Sequence, residues 1–82
     1  MQEILKEFEK KFVELRVGKG AIETHMRRVS TYLNWCREFG ERPLEQGSLG
    51  RFLKSREDRR LTNNAIKAYT YSLNTFLKIM TE

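Results

Sequence analysis

Cysteine, histidine and proline each occur once in this chain of 82 residues. A lone cysteine, Cys36, leaves no partner for an intrachain disulfide, which fits a reducing cytosol. Cys36 and His25 together fall short of a conventional all-protein Cys/His zinc site. No apolar run approaches the roughly 20 residues that span a membrane. The start, Met-Gln-Glu-Ile-Leu-Lys-Glu, has no basic region leading into a long apolar one, so no signal peptide is read. Paired carboxylates, a nucleophile-base constellation and a phosphate-cradling loop are all missing, since Gly18-Lys19-Gly20 has too few glycines for the last. The reading therefore holds no catalytic residue, no metal and no cofactor. Val, Ile and Thr do not cluster in alternating runs, which argues against strands.

What is present is helical periodicity and positive charge. The length sets one small domain over residues 1–82, with a core that supports about 3–5 kcal/mol of stability. Four helices are expected, with glycines punctuating the loops between them. The first, from about Gln2 to Leu15, carries Ile4, Leu5, Phe8, Phe12 and Leu15 as one stripe. Gly18-Lys19-Gly20 ends it. The second, from about Ala21 to Phe39, carries Ile22, Met26, Val29, Leu33 and Cys36 on one face and stops at Gly40. Pro43 is expected to hold the next stretch extended. The third, short because Gly47 and Gly50 weaken it by about 1 kcal/mol each, runs from about Ser48 to Arg56 on Leu49, Phe52 and Leu53. The fourth runs from about Asn63 to Met80, capped by Thr62 or Asn63. Its stripe is Ile66, Tyr69, Leu73, Phe76, Leu77 and Met80.

The net charge is +5 and the sequence pI near 9.7, values that favour a phosphate-bearing partner. From Gly50 to Lys78 there are seven Lys/Arg against two acids. Opposite the stripe of the second helix lie Thr24, Arg27, Arg28, Thr31 and, one turn on, Trp35. Opposite that of the fourth lie Asn64, Lys67, Tyr71, Asn74 and Lys78. Lys and Arg neutralise phosphates, while Thr, Asn, Tyr and helix N-termini donate hydrogen bonds to phosphate oxygens. Arg reads guanine and Asn reads adenine when they reach a major-groove edge. The plain alternative is a solvated charged face. Arg59-Arg60 is either a phosphate grip or a solvated loop. Trp35 is either covered by the first or third helix or docks a partner, and Tyr71 has the same two readings. His25, at the edge of the stripe, is read as structural, and Cys36 as a small core residue.

In order and spacing the chain resembles the N-terminal core-binding, SAM-like domain of tyrosine recombinases and phage integrases, over roughly Ile4 to Met80. The matching residues are Phe8 to Leu15, the Gly/Lys turn, and Glu23-Thr24 leading into an Arg-bearing helix that ends in Tyr32-Leu33-Asn34-Trp35-Cys36. Pro43-Leu44, Leu49-Gly50-Arg51-Phe52-Leu53, the polar cap Thr62-Asn63-Asn64 and Leu73-Asn74-Thr75-Phe76-Leu77 follow. The resemblance implies a four-helix orthogonal bundle that holds one face of double-stranded DNA through its second and fourth helices. A separate C-terminal catalytic domain closes the other face of the clamp. It also implies a cytoplasmic, nucleoid-associated protein. By position, Lys19, Thr24, Arg27 and Arg28 match the first contact helix, and Asn63, Asn64 and Lys67 the second. Thr31, Arg59, Arg60 and Tyr71 join them from the charge and face reading. Arg28 departs from the family, which commonly has an aromatic there, and the Pro43 to Phe52 connection is shorter than in many relatives. None of Tyr32, Tyr69 and Tyr71 matches the family's strand-cleaving tyrosine, so no cutting is expected of this chain. The runner-up is a helical protein-protein interaction module presenting Trp35, Tyr71 and mixed charges.

Overall fold

The computed structural model describes residues 2–15 and 18–81. It is an all-α bundle of four helices with no strand among the described residues: α1 (Gln2–Glu14), α2 (Lys19–Phe39), α3 (Gln46–Asp58) and α4 (Asn63–Thr81). No helix among the described residues is long and apolar enough to cross a membrane.

Aromatic side chains at helical spacing join the elements. In α1, Phe8 and Phe12 stand one turn apart and meet edge to face at 5.1 Å. Phe8 continues to Phe76 of α4 at 5.2 Å, and Phe76 to Tyr32 of α2 at 6.2 Å. Tyr32 meets Phe52 of α3 at 5.2 Å. Phe52 also receives Trp35 of α2 at 5.4 Å and Tyr69 of α4 at 5.5 Å. Phe8, Tyr32, Phe52 and Phe76 are fully buried. α3 therefore covers one side of Trp35, as the first of its two readings expected, and leaves it half-buried.

Several boundaries and faces differ from expectation for local reasons. Leu15 lies beyond α1 and is 60 % exposed, so the stripe ends at Phe12. The buried face of α2 is His25, Val29, Tyr32, Leu33 and Cys36, with Ile22 and Met26 half-buried at its edge. Tyr32 enters the core because its hydroxyl has a partner, donating to the Pro43 carbonyl at 2.9 Å. Pro43 sits in a turn closed by Glu45 N–H to Arg42 C=O at 3.2 Å, not in an extended stretch. α3 outgrows the expected Ser48 to Arg56 at both ends and contains both glycines. Tertiary contacts offset their poor propensity. Glu41 accepts from Ser48 Oγ at 3.1 Å and from Arg51 Nε and Nη2 at 2.6 and 2.8 Å, which ties the first turns of α3 to the end of α2.

Two helices end in the same motif with different residues. After α2, Gly40 takes the left-handed conformation (φ 68°) and Glu41 N–H reaches back to Cys36 C=O at 2.9 Å. After α3, Arg60 takes it (φ 59°), with Arg60 N–H on Glu57 C=O at 2.9 Å and Leu61 N–H on Arg56 C=O at 3.3 Å. Thr62 then caps α4, its Oγ1 accepting from Ala65 N–H at 3.2 Å. A side chain at a left-handed position costs about 1–2 kcal/mol that glycine does not bear. Arg60→Gly is accordingly expected to raise stability by about 1 kcal/mol, or about 4–8 °C in melting midpoint for a domain of this size. Thermal denaturation followed by circular dichroism reads this, and a lower midpoint would show that the Arg60 side chain holds the turn through contacts of its own.

Candidate nucleic-acid interface

α2 and α4 each carry exposed basic residues. Lys19 opens α2 and is exposed, as is Arg27. Asn63 and Asn64 form the exposed first turn of α4, with Lys67 exposed one turn on. Arg59 and Arg60 are exposed on the turn that leads into α4. The ion pairs among the described residues are Lys11–Glu7, Arg42–Glu45 and Arg51–Glu41. None engages Lys19, Arg27, Arg28, Arg59, Arg60 or Lys67, although Glu23 stands one turn from Arg27 in sequence. α4 has no acidic residue at all, and the first turns of α2 and α3 have none either. The positive ends of the α2 and α4 dipoles therefore meet no carboxylate in their own first turns, whereas Glu45 at the N-cap and Glu41 on Ser48 stand at that of α3.

The α3–α4 turn concentrates this field. Arg56 lies half-buried with its guanidinium over the Phe52 ring at 4.7 Å, and its Nε is buried without a hydrogen-bond partner. Burial and, second, the neighbouring Arg59 lower its pKa. Leu61, Asn63, Ile66 and Lys67 line a shallow recess of about 340 Å³ beside them. Glu57 lines it as well and opposes an anion there.

Not every expected contact residue is free. Thr24 and Thr31 are half-buried, and their hydroxyls donate back to Gly20 C=O at 3.0 Å and Arg27 C=O at 3.1 Å, which satisfies their donors within α2. Arg28 is half-buried as well. Its Nη1 donates to Ser72 Oγ of α4 at 3.0 Å, so it is a link between the helices and not an open cation on the outer face. Its place one turn behind Thr24, beside α4, explains this: the side chain finds a buried hydroxyl within reach. Tyr71 is 66 % exposed, with its ring 5.3 Å from that of His25.

His25 and Ser72 form the hidden part of the site. Nδ1 of His25 and Oγ of Ser72 are 2.6 Å apart, and Ser72 is fully buried. A hydroxyl and an imidazole at that distance have the form of a nucleophile-base pair, but no substrate reaches a serine without accessible surface. The sequence carried a signal for Ser72 that the stripe reading passed over. It lies three residues after Tyr69 and four before Phe76, on the apolar face of α4. Cys36 is buried in the core, and burial raises its thiol pKa.

No protein-family model matches this chain, and neither does any curated protein or solved structure.

The buried histidine sets an acid limit on the fold. Burial, first, and the Arg28 charge, second, lower its pKa from the ordinary 6.5. The folded state thus takes up its proton at lower pH than the unfolded chain. Stability from this group is complete above about pH 6.5 and is lost as pH falls toward the lower folded value. Urea denaturation between pH 8 and 5 is expected to show a midpoint that declines on acidification, with a smaller decline in His25→Asn. A midpoint that rises on acidification would refute the assignment.

Proposed function

We propose that this chain is a DNA-binding module of the core-binding type found in tyrosine recombinases, holding duplex DNA through α2 and α4 and doing no cutting itself. The observation that carries the reading is that Lys19, Arg27 and Lys67, exposed on two packed helices, make no ion pair among the described residues, beside an α4 that has no acid. Cations already neutralised by carboxylates gain little from a phosphate; unpaired ones release counterions in full.

The roles follow from exposure. Lys19, Arg27 and Lys67 neutralise phosphates from the two helices. Arg59 and Arg60 do the same from the turn before α4, and the α4 N-terminus with Asn63 and Asn64 supplies neutral donors. Tyr71 adds a hydroxyl on the α4 side. Arg28, Thr24 and Thr31 stand second, since internal partners hold their donors. A catalytic domain following in the same polypeptide would close the clamp, and nucleoid association would follow from the same charge. The competing reading, a protein-docking bundle, rests on Tyr71 more than on Trp35, because Trp35 is half-buried against Phe52 and Tyr71 is exposed.

Binding of a fluorescent duplex, followed by anisotropy from 50 to 300 mM salt, is expected to weaken linearly on a log-log plot. Arg27→Ala and Lys67→Ala are each expected to lower affinity about tenfold near 0.1 M salt and to shallow the slope by about 0.9, the effect of one phosphate contact. Their melting midpoints stay within a few degrees of the parent, because neither residue is buried or paired. Absence of salt-dependent duplex binding at 50 mM salt sinks the DNA reading.

A further inference from the structure

We propose that His25, Ser72 and Arg28 form a pH-sensitive latch between α2 and α4, in which neutral His25 holds the Arg28 guanidinium inward on Ser72 and protonated His25 releases it to solvent. The latch is read from contacts within the chain. Its consequence for ligand affinity rests on the DNA-binding reading above.

The hydrogen-bond order decides the logic. A guanidinium only donates, so Arg28 Nη1 gives its proton to Ser72 Oγ at 3.0 Å. The Ser72 hydroxyl then has its own proton left, and the nearest acceptor is His25 Nδ1 at 2.6 Å. The order that uses each group once makes His25 the neutral tautomer with its proton on Nε2. Protonation puts a hydrogen on Nδ1. The imidazolium must then donate to Ser72 Oγ as well, so two cations converge on one hydroxyl oxygen in a site where Ser72 has no accessible surface. Among the described residues no carboxylate pairs with either cation to stabilise that arrangement. Around His25 stand the Phe12 ring of α1 at 5.2 Å, Tyr71 and Ser72 of α4, and Arg28 on α2 itself. Arg28 is the charged group among them, and its charge has the same sign as the imidazolium. Lys11 and Glu14 of α1 line a separate recess with Leu15 and Ile79.

Of the two cations, Arg28 is the one able to leave. His25 is held between the Phe12 and Tyr71 rings and is 7 % exposed, whereas Arg28 is half-buried on a long stem at the edge of the interface. Acidification therefore turns an internal tie into a free guanidinium between the basic faces of α2 and α4.

The test follows side-chain NMR signals of the free protein from pH 8 to 5. The Arg28 Nη1–H protons, which donate to Ser72 Oγ, are expected to be protected at pH 8 and to lose protection with the same midpoint as the His25 ring, below the ordinary 6.5. In His25→Asn, which places a non-titrating amide near the Nδ1 position, Arg28 is expected to show no such transition. Backbone signals of α3, Arg51 and Phe52 among them, are expected to stay put throughout. The latch is overturned if Arg28 is indifferent to the His25 titration, if it moves equally in His25→Asn, or if all helices lose their signals together. A separate arm measures duplex affinity at pH 7.5 and 5.5 in 0.1 M salt. One released guanidinium on a phosphate is worth about a tenfold gain there. A latch that opens in the free protein without that gain leaves the switch standing and counts against the DNA reading.

Discussion

Phe52 of α3 touches aromatic rings of both α2 and α4, and Phe76 of α4 touches rings of both α1 and α2. Everything else in the bundle is placed by this chain of edge-on contacts. Such pairs add about 0.5–1.5 kcal/mol each beyond the area they bury. A domain of this length has only a few kcal/mol to lose. Removing one ring from the middle leaves a hole shared by three helices, so the helices are held cooperatively and not in pairs. The aromatic rings also explain how a chain whose charged residues make up 33 % of its length still folds around one core. Among the described residues, five of the ten buried apolar side chains are aromatic, and Val29, Leu33, Cys36, Leu49 and Leu73 fill the space between them.

The same contacts set where the charges stand. Tyr32 sits in the core with its hydroxyl on the Pro43 carbonyl, which fixes the loop after α2. Glu41, in that loop, grips Ser48 and Arg51 and so locates the start of α3. Phe52 then fixes the far half of α3 against Tyr69, and the Arg56–Phe52 stack carries the order to the helix end. Arg59 and Arg60 project from a turn defined at both sides, by the α3 carbonyls and by the Thr62 cap. Charge on a tethered loop is diffuse; charge on a turn pinned in this way has a direction.

Much of this was legible in the sequence, and the exceptions share a cause. Period and caps place α1, α2 and α4 because Phe8 and Phe12, Val29 and Leu33, and Leu73 and Phe76 repeat at helical spacing with Gly40 and Thr62 at the ends. α3 was underestimated because local propensity charges Gly47 and Gly50 against the helix, whereas Glu41, in a different segment, offsets that cost. Tyr32 and Ser72 were left out of the expected apolar stripes because a polar atom counts against burial until its partner is known. Pro43 C=O lies 11 residues from Tyr32, and His25 lies 47 from Ser72. Arg60 in a glycine conformation is invisible to composition. At the candidate interface, sequence position identified which helices present cations. It was silent on which cations were already engaged, and this separates Arg27 and Lys67 from Arg28.

That separation bears on how a small basic domain keeps its charge useful. A helix surface offers carboxylates at three- and four-residue spacing as the ready partners for Lys and Arg, and Lys11–Glu7 on α1 is such a pair. α4 avoids such pairing by having no acid within it. On α2, where Glu23 is available, Arg27 still makes no ion pair among the described residues and Arg28 is turned toward a neutral hydroxyl. A hydroxyl satisfies a guanidinium's hydrogen bond without cancelling its charge. Arg28 held by Ser72 therefore still contributes to the positive field of the α2–α4 face, and it is a weaker hold than a carboxylate would be. A serine in that place ties the two helices while leaving the cation exchangeable. An aspartate would tie them more firmly and remove the charge from the face altogether.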